Sequence, residues 1–357
     1  MLSLMKFETS LRDLLPLLAT LVAGFLFTGC AVIGHPPICH QTGESVVLAG
    51  SEPACLAHNP LWNQAFHVRS TYLPETNAVE YINGQDFILD CKHGTLRRTA
   101  DSRIPDFRTN ILFGVENFDH TKFPGFGNDK FFIFVDYDFT QTKTWPVQAS
   151  QQNKLPVTHR KLLNGEPVKI VAFGDSITVG HNATRTNLIF WQRWADELRH
   201  KYPQANISTV NGATGGDTTR QGLQRLQTKV IAEKPDLVLI GFGMNDHNVR
   251  GVPLPEFKKN LEDMVTTIRA KTGAEIILYS AFPPNPRWKF GSHHMADYAT
   301  ATAETAEEMN CAYADVFDNW QTLAARKKPE DLLGNNINHP NDFGHWIYFS
   351  VFNQLGL

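Results

Sequence analysis

The chain has 357 residues, 42% apolar and 19% charged, with 33 Lys and Arg against 36 Asp and Glu. That is ordinary globular composition, long enough for one large domain or for two. A formal charge of −3 offers no basic field to hold a phosphate backbone, so nucleic acid is excluded as an expected partner. Zinc-finger spacing, a Walker-type loop and internal repeats are also missing from the sequence.

Residues 1–30 stand apart. Lys6 and Arg12 precede a mostly apolar run from Leu14 to Phe27, which ends at Thr28-Gly29-Cys30. A short basic region, an apolar stretch and small residues before a cleavage point describe an export signal. The small residues before Cys30 resemble a lipobox, which makes Cys30 a candidate lipidation site. The alternative is a single N-terminal membrane anchor, for which the run is short. The expected localisation is the cell envelope, as a lipoprotein, or the periplasm or exterior. Four further cysteines, Cys39, Cys55, Cys91 and Cys311, allow two disulfides, with Cys39–Cys55 one conceivable pair.

Residues 31–60, rich in Pro, Gly, His and Ser, read as a tether. Residues 61–155 read as a β-rich accessory domain, a small β-sandwich or jelly-roll. Phe87-Ile88-Leu89 and Phe131 to Val135 are its clearest strands, and convincing helical periodicity is missing. Its scattered aromatic, His and Arg side chains suit either a sugar-binding face or an ordinary core and surface.

From Val168 the period changes. Val168 to Phe173 is a continuous apolar strand between Pro167 and Gly174, and Leu188, Trp191, Ala195, Leu198 and Tyr202 then share one helical face. Ile207 to Val210, Leu237 to Ile240 and Ile276 to Tyr279 are further strands, with a weaker one near Val316. Helices are expected through Leu223 to Val230, Phe257 to Ile268, about 293–309, and from about Phe343. Strands alternating with helices specify an α/β fold, a three-layer sandwich around a mostly parallel sheet. Ligands in such folds bind where the strands end. Three polar clusters fall there: Gly174-Asp175-Ser176, Asn211 to Asp217, and Gly241 to Asp246.

Ser176, at a tight strand-to-helix turn, projects a hydroxyl into that crevice, although a plain helix cap explains a Ser there too. A serine nucleophile needs a base. His339, stiffened by Pro340, is the candidate, and Asn336, three residues earlier, is the candidate to orient its ring. His345, inside the last helix, is the rival base, better explained by packing. Asn245 and Gly216 lie in Gly-rich turns that could offer N–H donors to an oxyanion, although a loop-forming Gly and an Asn satisfying local backbone explain them equally simply.

Four segments resemble the conserved blocks of the SGNH, or GDSL-type, hydrolases. They are Phe173-Gly174-Asp175-Ser176-Ile177-Thr178, Asn211 to Thr219, Gly243-Met244-Asn245-Asp246, and Asn336-Ile337-Asn338-His339-Pro340-Asn341. The resemblance covers about residues 166–357, taken as the hydrolase domain. It implies Ser176 as nucleophile and His339 as base. It also implies an oxyanion hole of the Ser176 N–H, the Gly216 N–H and the Asn245 amide. The family places Asp three residues before the catalytic His, and this chain has Asn336; Asp342 is a substitute acid. No metal or organic cofactor is implied.

An exported enzyme with a β-rich extra domain resembles the carbohydrate-active branch of that family. The expected function is therefore a serine esterase working through an acyl-enzyme, an O-acetyl esterase of carbohydrate, with a small-molecule or polysaccharide ester as partner. The alternatives are a lipid or small-ester hydrolase, a glycan O-acyltransferase, and a non-catalytic carbohydrate-binding surface protein.

Overall fold

The chain enters its first sheet at Ile38, inside the segment expected to be a tether. The computed structural model describes residues 37–141 and 146–357, so the export-signal reading and Cys30 lie outside the described residues. Seven strands come first: β1 (Ile38–Val46), β2 (Ala54–Cys55), β3 (Phe66–Arg69), β4 (Glu80–Tyr81), β5 (Phe87–Asp90), β6 (Thr95–Arg98) and β7 (Ile133–Thr140). They form two sheets, in the orders β1-β7-β3-β4 and β2-β6-β5, and every pairing is antiparallel. Val46, Leu48 and Leu56, all within the expected tether, are fully buried. Its Gly and Pro residues mark a bulge and turns around real strands. The apolar residues between them supply the burial that outweighs ordering entropy.

The strand β7 explains why this β-rich region does not stand alone. Ile133, Val135, Tyr137 and Phe139 alternate into a cluster with Val46, Val68, Phe87 and Leu96. Phe132 and Phe134, pointing the other way, join a second cluster with Trp191, Phe190 and Tyr348. Period-two alternation with both faces buried is the mark of a strand between two cores. Pro36–Leu357 accordingly form one compact unit.

The parallel part follows α1 (Pro156–Leu163). Its elements are β8 (Val168–Gly174), α2 (Ser176–Val179), α3 (Phe190–Lys201), β9 (Ile207–Asn211), α4 (Thr219–Lys229), β10 (Leu237–Gly241), α5 (Leu254–Thr272), β11 (Glu275–Tyr279), α6 (Met295–Glu308), β12 (Ala312–Ala314), α7 (Val316–Ala324), α8 (Pro329–Leu332) and α9 (Asp342–Asn353). The weak strand expected near Val316 ends at Ala314, and Val316 instead opens α7, whose first turn Asp315 caps by accepting from Asp318 N–H.

All pairs in the five-stranded sheet β12-β11-β10-β8-β9 are parallel. Val168, Ile170 and Ala172 of β8 pack with Trp191 and Trp194 of α3 and Phe352 of α9. Val171 and Phe173 pack with Leu226 of α4 and Phe257 and Leu261 of α5. Both faces are covered, so β8 reads as an unbroken apolar run. The order reverses between β8 and β10, and a crevice opens at such a point outside the strands' C-terminal ends.

The four described cysteines are free. Cys39 pairs with Phe139 in one small sheet and Cys55 with Thr95 in the other, so the pairing suggested by their spacing is not made. Among the described residues no helix is long and apolar enough to cross a membrane.

Candidate active site

The ends of β8 and β10 are in register, Gly174 opposite Gly241. Ser176 therefore leaves the sheet beside the loop that carries Asn245. Asp175 caps α2, its Oδ1 accepting the Ile177 N–H at 2.9 Å. Burial pushes the Asp175 carboxyl up to about 7. Ser176 is the first residue of α2, so its N–H has no intrahelical acceptor.

A C-terminal loop brings the imidazole. Oδ1 of Asn335 accepts the N–H groups of Ile337, Asn338 and His339 at 3.0, 2.9 and 2.9 Å. Asn341 caps α9 by accepting from Gly344 N–H at 2.9 Å. Held from both ends, His339 places Nε2 2.9 Å from Ser176 Oγ. Residues 163 positions apart in sequence thus meet with nucleophile–base geometry.

The partner of the other ring nitrogen differs from the one expected. Nδ1 of His339 faces Oδ1 of Asn182 at 3.1 Å. Asn336 is nearly fully buried and has a left-handed backbone, φ 59°. That conformation turns its amide away from the ring, and its Oδ1 and carbonyl accept from Asn285 Nδ2 at 3.3 and 2.9 Å. The substitute acid Asp342 is occupied as well, accepting from the N–H and hydroxyl of Thr184 at 2.8 and 2.7 Å. His345 is buried, stacked on Phe190 at 6.1 Å, with its Nε2 directed at the His181 carbonyl, 3.4 Å away. It packs, as its place in α9 suggests.

Asn182 escaped the sequence reading because it belongs to no recognised block. The available signal was its setting: the short helix α2 ends at Gly180, in the left-handed region, and Asn182 itself has φ 62°. Asn tolerates that region, and the chain curls back there, with the His181 N–H bonded to the Ser176 carbonyl at 3.1 Å.

The residues expected to donate to an oxyanion, Gly216 and Asn245, lie on the adjacent loops. Gly216 has φ +81°, and among the described residues its N–H has no partner. The turn lies against the nucleophile, since a Cβ added at Gly215 would stand 3.8 Å from Ser176 Cβ and 3.2 Å from His181 Cε1. Asn245 gives one amide hydrogen to the Asp217 carbonyl at 2.9 Å, leaving the second for a ligand. Asp246 ties the two loops together: its Oδ1 accepts from Thr219 N–H and Oγ at 2.9 and 2.6 Å, and its Oδ2 from Gly243 N–H at 3.2 Å. Both Asp246 and its bracing partner Thr219 belong to the sequence blocks, but the hydrogen bonds that join the two loops are visible only in the structure.

Burial, and secondarily the ring of His181, lower the His339 pKa to about 4. The imidazole is neutral at neutral pH, and a neutral ring with Nδ1–H on Asn182 leaves Nε2 free to accept a proton. The arrangement can therefore carry out acyl transfer from an ester.

Residues 172–347 match the GDSL-like Lipase/Acylhydrolase family. The arylesterase of Vibrio mimicus is 31% identical over 187 residues, which span 52% of this chain and 88% of that protein. The chain belongs to the GDSL-like lipase/acylhydrolase family. Another relative, the acetylxylan esterase of Geobacillus stearothermophilus, is 26% identical over 164 residues, 43% of this chain and 74% of that protein. Among solved structures, a two-domain esterase active on acetylated mannans is similar at 21% identity and a TM-score of 0.48. The match covers 58% of this chain and 54% of that one, about half its length. Like its GDSL-family relatives, this chain is a hydrolase acting on ester bonds.

Proposed function

We propose that this hydrolase removes short acyl groups, acetyl foremost, from carbohydrate, with Ser176 as nucleophile and His339 as base. His339 Nε2 takes the Ser176 proton as Oγ attacks the ester carbonyl. The N–H groups of Ser176 and Gly216 and the Asn245 amide hold the oxyanion, and His339 returns the proton to the leaving alcohol. Water activated by the same ring then releases the acid. The observation that carries the reading is the 2.9 Å approach of His339 to Ser176. The ring is oriented by Asn182 in place of the expected Asn336.

Substrate class rests on the rim. Of the large apolar side chains exposed among the described residues, only Val249 lies on a loop that follows a strand of the parallel sheet. A lipid-hydrolysing site would present an apolar groove there. His181, Thr214, Asn245 and Asn182 instead make a polar border that suits hydroxyl-rich leaving groups. The acetylated xylan named for the Geobacillus stearothermophilus relative supports the same class.

The test compares p-nitrophenyl acetate with long-chain esters, and acetylated xylan and mannan oligosaccharides with their free forms. Rapid release of acetate that Ser176→Ala abolishes is expected. Faster turnover of long acyl chains would replace this reading with a lipid hydrolase. A transferred acetyl group on an added sugar acceptor would replace it with an acyltransferase. Residues 1–30, read as an export signal with Cys30 as lipid acceptor, put the enzyme at the cell envelope; fractionation of wild type and Cys30→Ser tests that placement.

A further inference from the structure

Behind the amide that faces the base stands a carboxylate from the other half of the chain. Oδ1 of Asp129 is 3.5 Å from Nδ2 of Asn182, at the long limit of a hydrogen bond. Asp129 opens the 3-10 turn Asp129–Phe131 that leads into β7. It thus comes from the β-rich region and lies outside all four sequence blocks.

Its position is fixed by bonds to the loop of His339. The Asn128 N–H donates to the Gly334 carbonyl at 2.7 Å. The Asn128 side-chain amide donates to the carbonyls of Leu333 and Glu330 at 2.9 and 3.2 Å. The Gly334 N–H in turn donates to the His339 carbonyl at 2.9 Å. A Cβ on Gly334 would stand 2.5 Å from Asn182 Cβ, so only glycine lets this loop lie against Asn182. Asn128, Asp129, Gly334 and Asn182 converge one layer behind the imidazole.

The two ends of an amide are not equivalent here. Its oxygen accepts the Nδ1 proton and leaves Nε2 free for Ser176. Its NH2 group would donate to Nδ1 and force the ring proton onto Nε2, the tautomer that cannot act as base. A carboxylate only accepts, so it draws the NH2 end to itself. Resting on the Ser176–His339 reading above, the geometry points to Asp129 as a positioning residue. By holding the NH2 end of Asn182, it keeps the amide oxygen on His339 and selects the basic tautomer. The β-rich region is then part of the catalytic apparatus, as the last member of the series Ser176, His339, Asn182, Asp129.

The experiment measures kcat and KM on p-nitrophenyl acetate with the full chain, for Asp129→Asn in two backgrounds, wild type and Asn182→Asp. In the wild-type background, Asp129→Asn puts a side chain there that donates as readily as it accepts. It should lower kcat about two- to tenfold, the worth of one hydrogen bond, with KM unchanged. In the Asn182→Asp background both ends of residue 182 offer oxygen to the ring, and the same change should no longer lower kcat. Unchanged kcat for Asp129→Asn in wild type, or an equal loss in both backgrounds, overturns the positioning role. Full activity of His339→Ala would overturn the base assignment itself, whatever Asp129 does.

Discussion

The rings of His339 and His181 stand edge to face, with 5.1 Å between their centroids. Burial disfavours a charge on His339, and the neighbouring ring of His181 acts in the same direction. His181 is exposed, so the neighbour that lowers the pKa of the base is open to solvent.

The pH profile should report this. A base whose pKa is depressed to about 4 stays deprotonated and competent from neutral pH down to about that value. The acid limb of kcat/KM, which reads the free enzyme, is expected near pH 4 instead of near the ordinary histidine value of about 6.5. His181→Ala should move that limb to higher pH. A wild-type limb at the ordinary value would contradict the depressed base.

Asn245→Ala removes one oxyanion donor. From comparable donors the loss in kcat is about 10²–10³-fold, with little change in KM, because the charge it meets exists only in the transition state. Steady-state kinetics on an aryl acetate decide it, and a rise in KM alone would show that Asn245 only binds ground-state substrate.

Asn336 and Asn182 should separate cleanly. Asn336→Gly keeps the left-handed backbone and removes the amide oxygen that accepts from buried Asn285. It should cost about 1 kcal/mol of stability and leave kcat within about twofold of wild type, an energy difference of some 0.4 kcal/mol. Asn182→Ala should lower kcat with little effect on stability. Denaturant titration and kinetics on the two variants check both halves.

A buried ion group joins the β-rich region to the loop of the base. Lys327 Nζ lies 2.8 Å from Glu44 Oε1 of β1 and 3.8 Å from Asp331 Oδ2 of α8, and the side chains of Lys327 and Glu44 are wholly buried. Lys327→Met leaves two acids without their cation, which should cost about 3–5 kcal/mol. Because the two regions share this group and a core, unfolding followed by far-UV and near-UV signals should remain a single transition at lower denaturant. Two separate transitions would show that the regions fold independently.

The parallel sheet, its helices and the three polar clusters at its strand ends were legible along the chain, since each rests on a local signal. Apolar runs of five to seven residues, 3.6-residue periodicity and Gly-bounded turns specify their elements without reference to distant partners. Ser176 and His339 were readable for the same reason, as residues of compact motifs. The short strands of residues 38–98 were harder. Two-residue β2 and β4 carry no period, and the bulge at Gly43 together with the polar run Cys39 to Ser45 obscures β1.

Local pattern was enough for the parallel-sheet α/β class and for bringing forward Ser176, His339, Gly216 and Asn245, the residues proposed here as nucleophile, base and oxyanion donors. The partner of the base was decided by folding alone. A single left-handed residue turns Asn336 towards Asn285, and another turns Asn182 towards His339. The carboxylate behind Asn182 arrives from residue 129 through bonds to a loop some two hundred positions later. Side-chain direction depends on backbone dihedrals and on contacts across the whole chain, and spacing along the sequence carries neither.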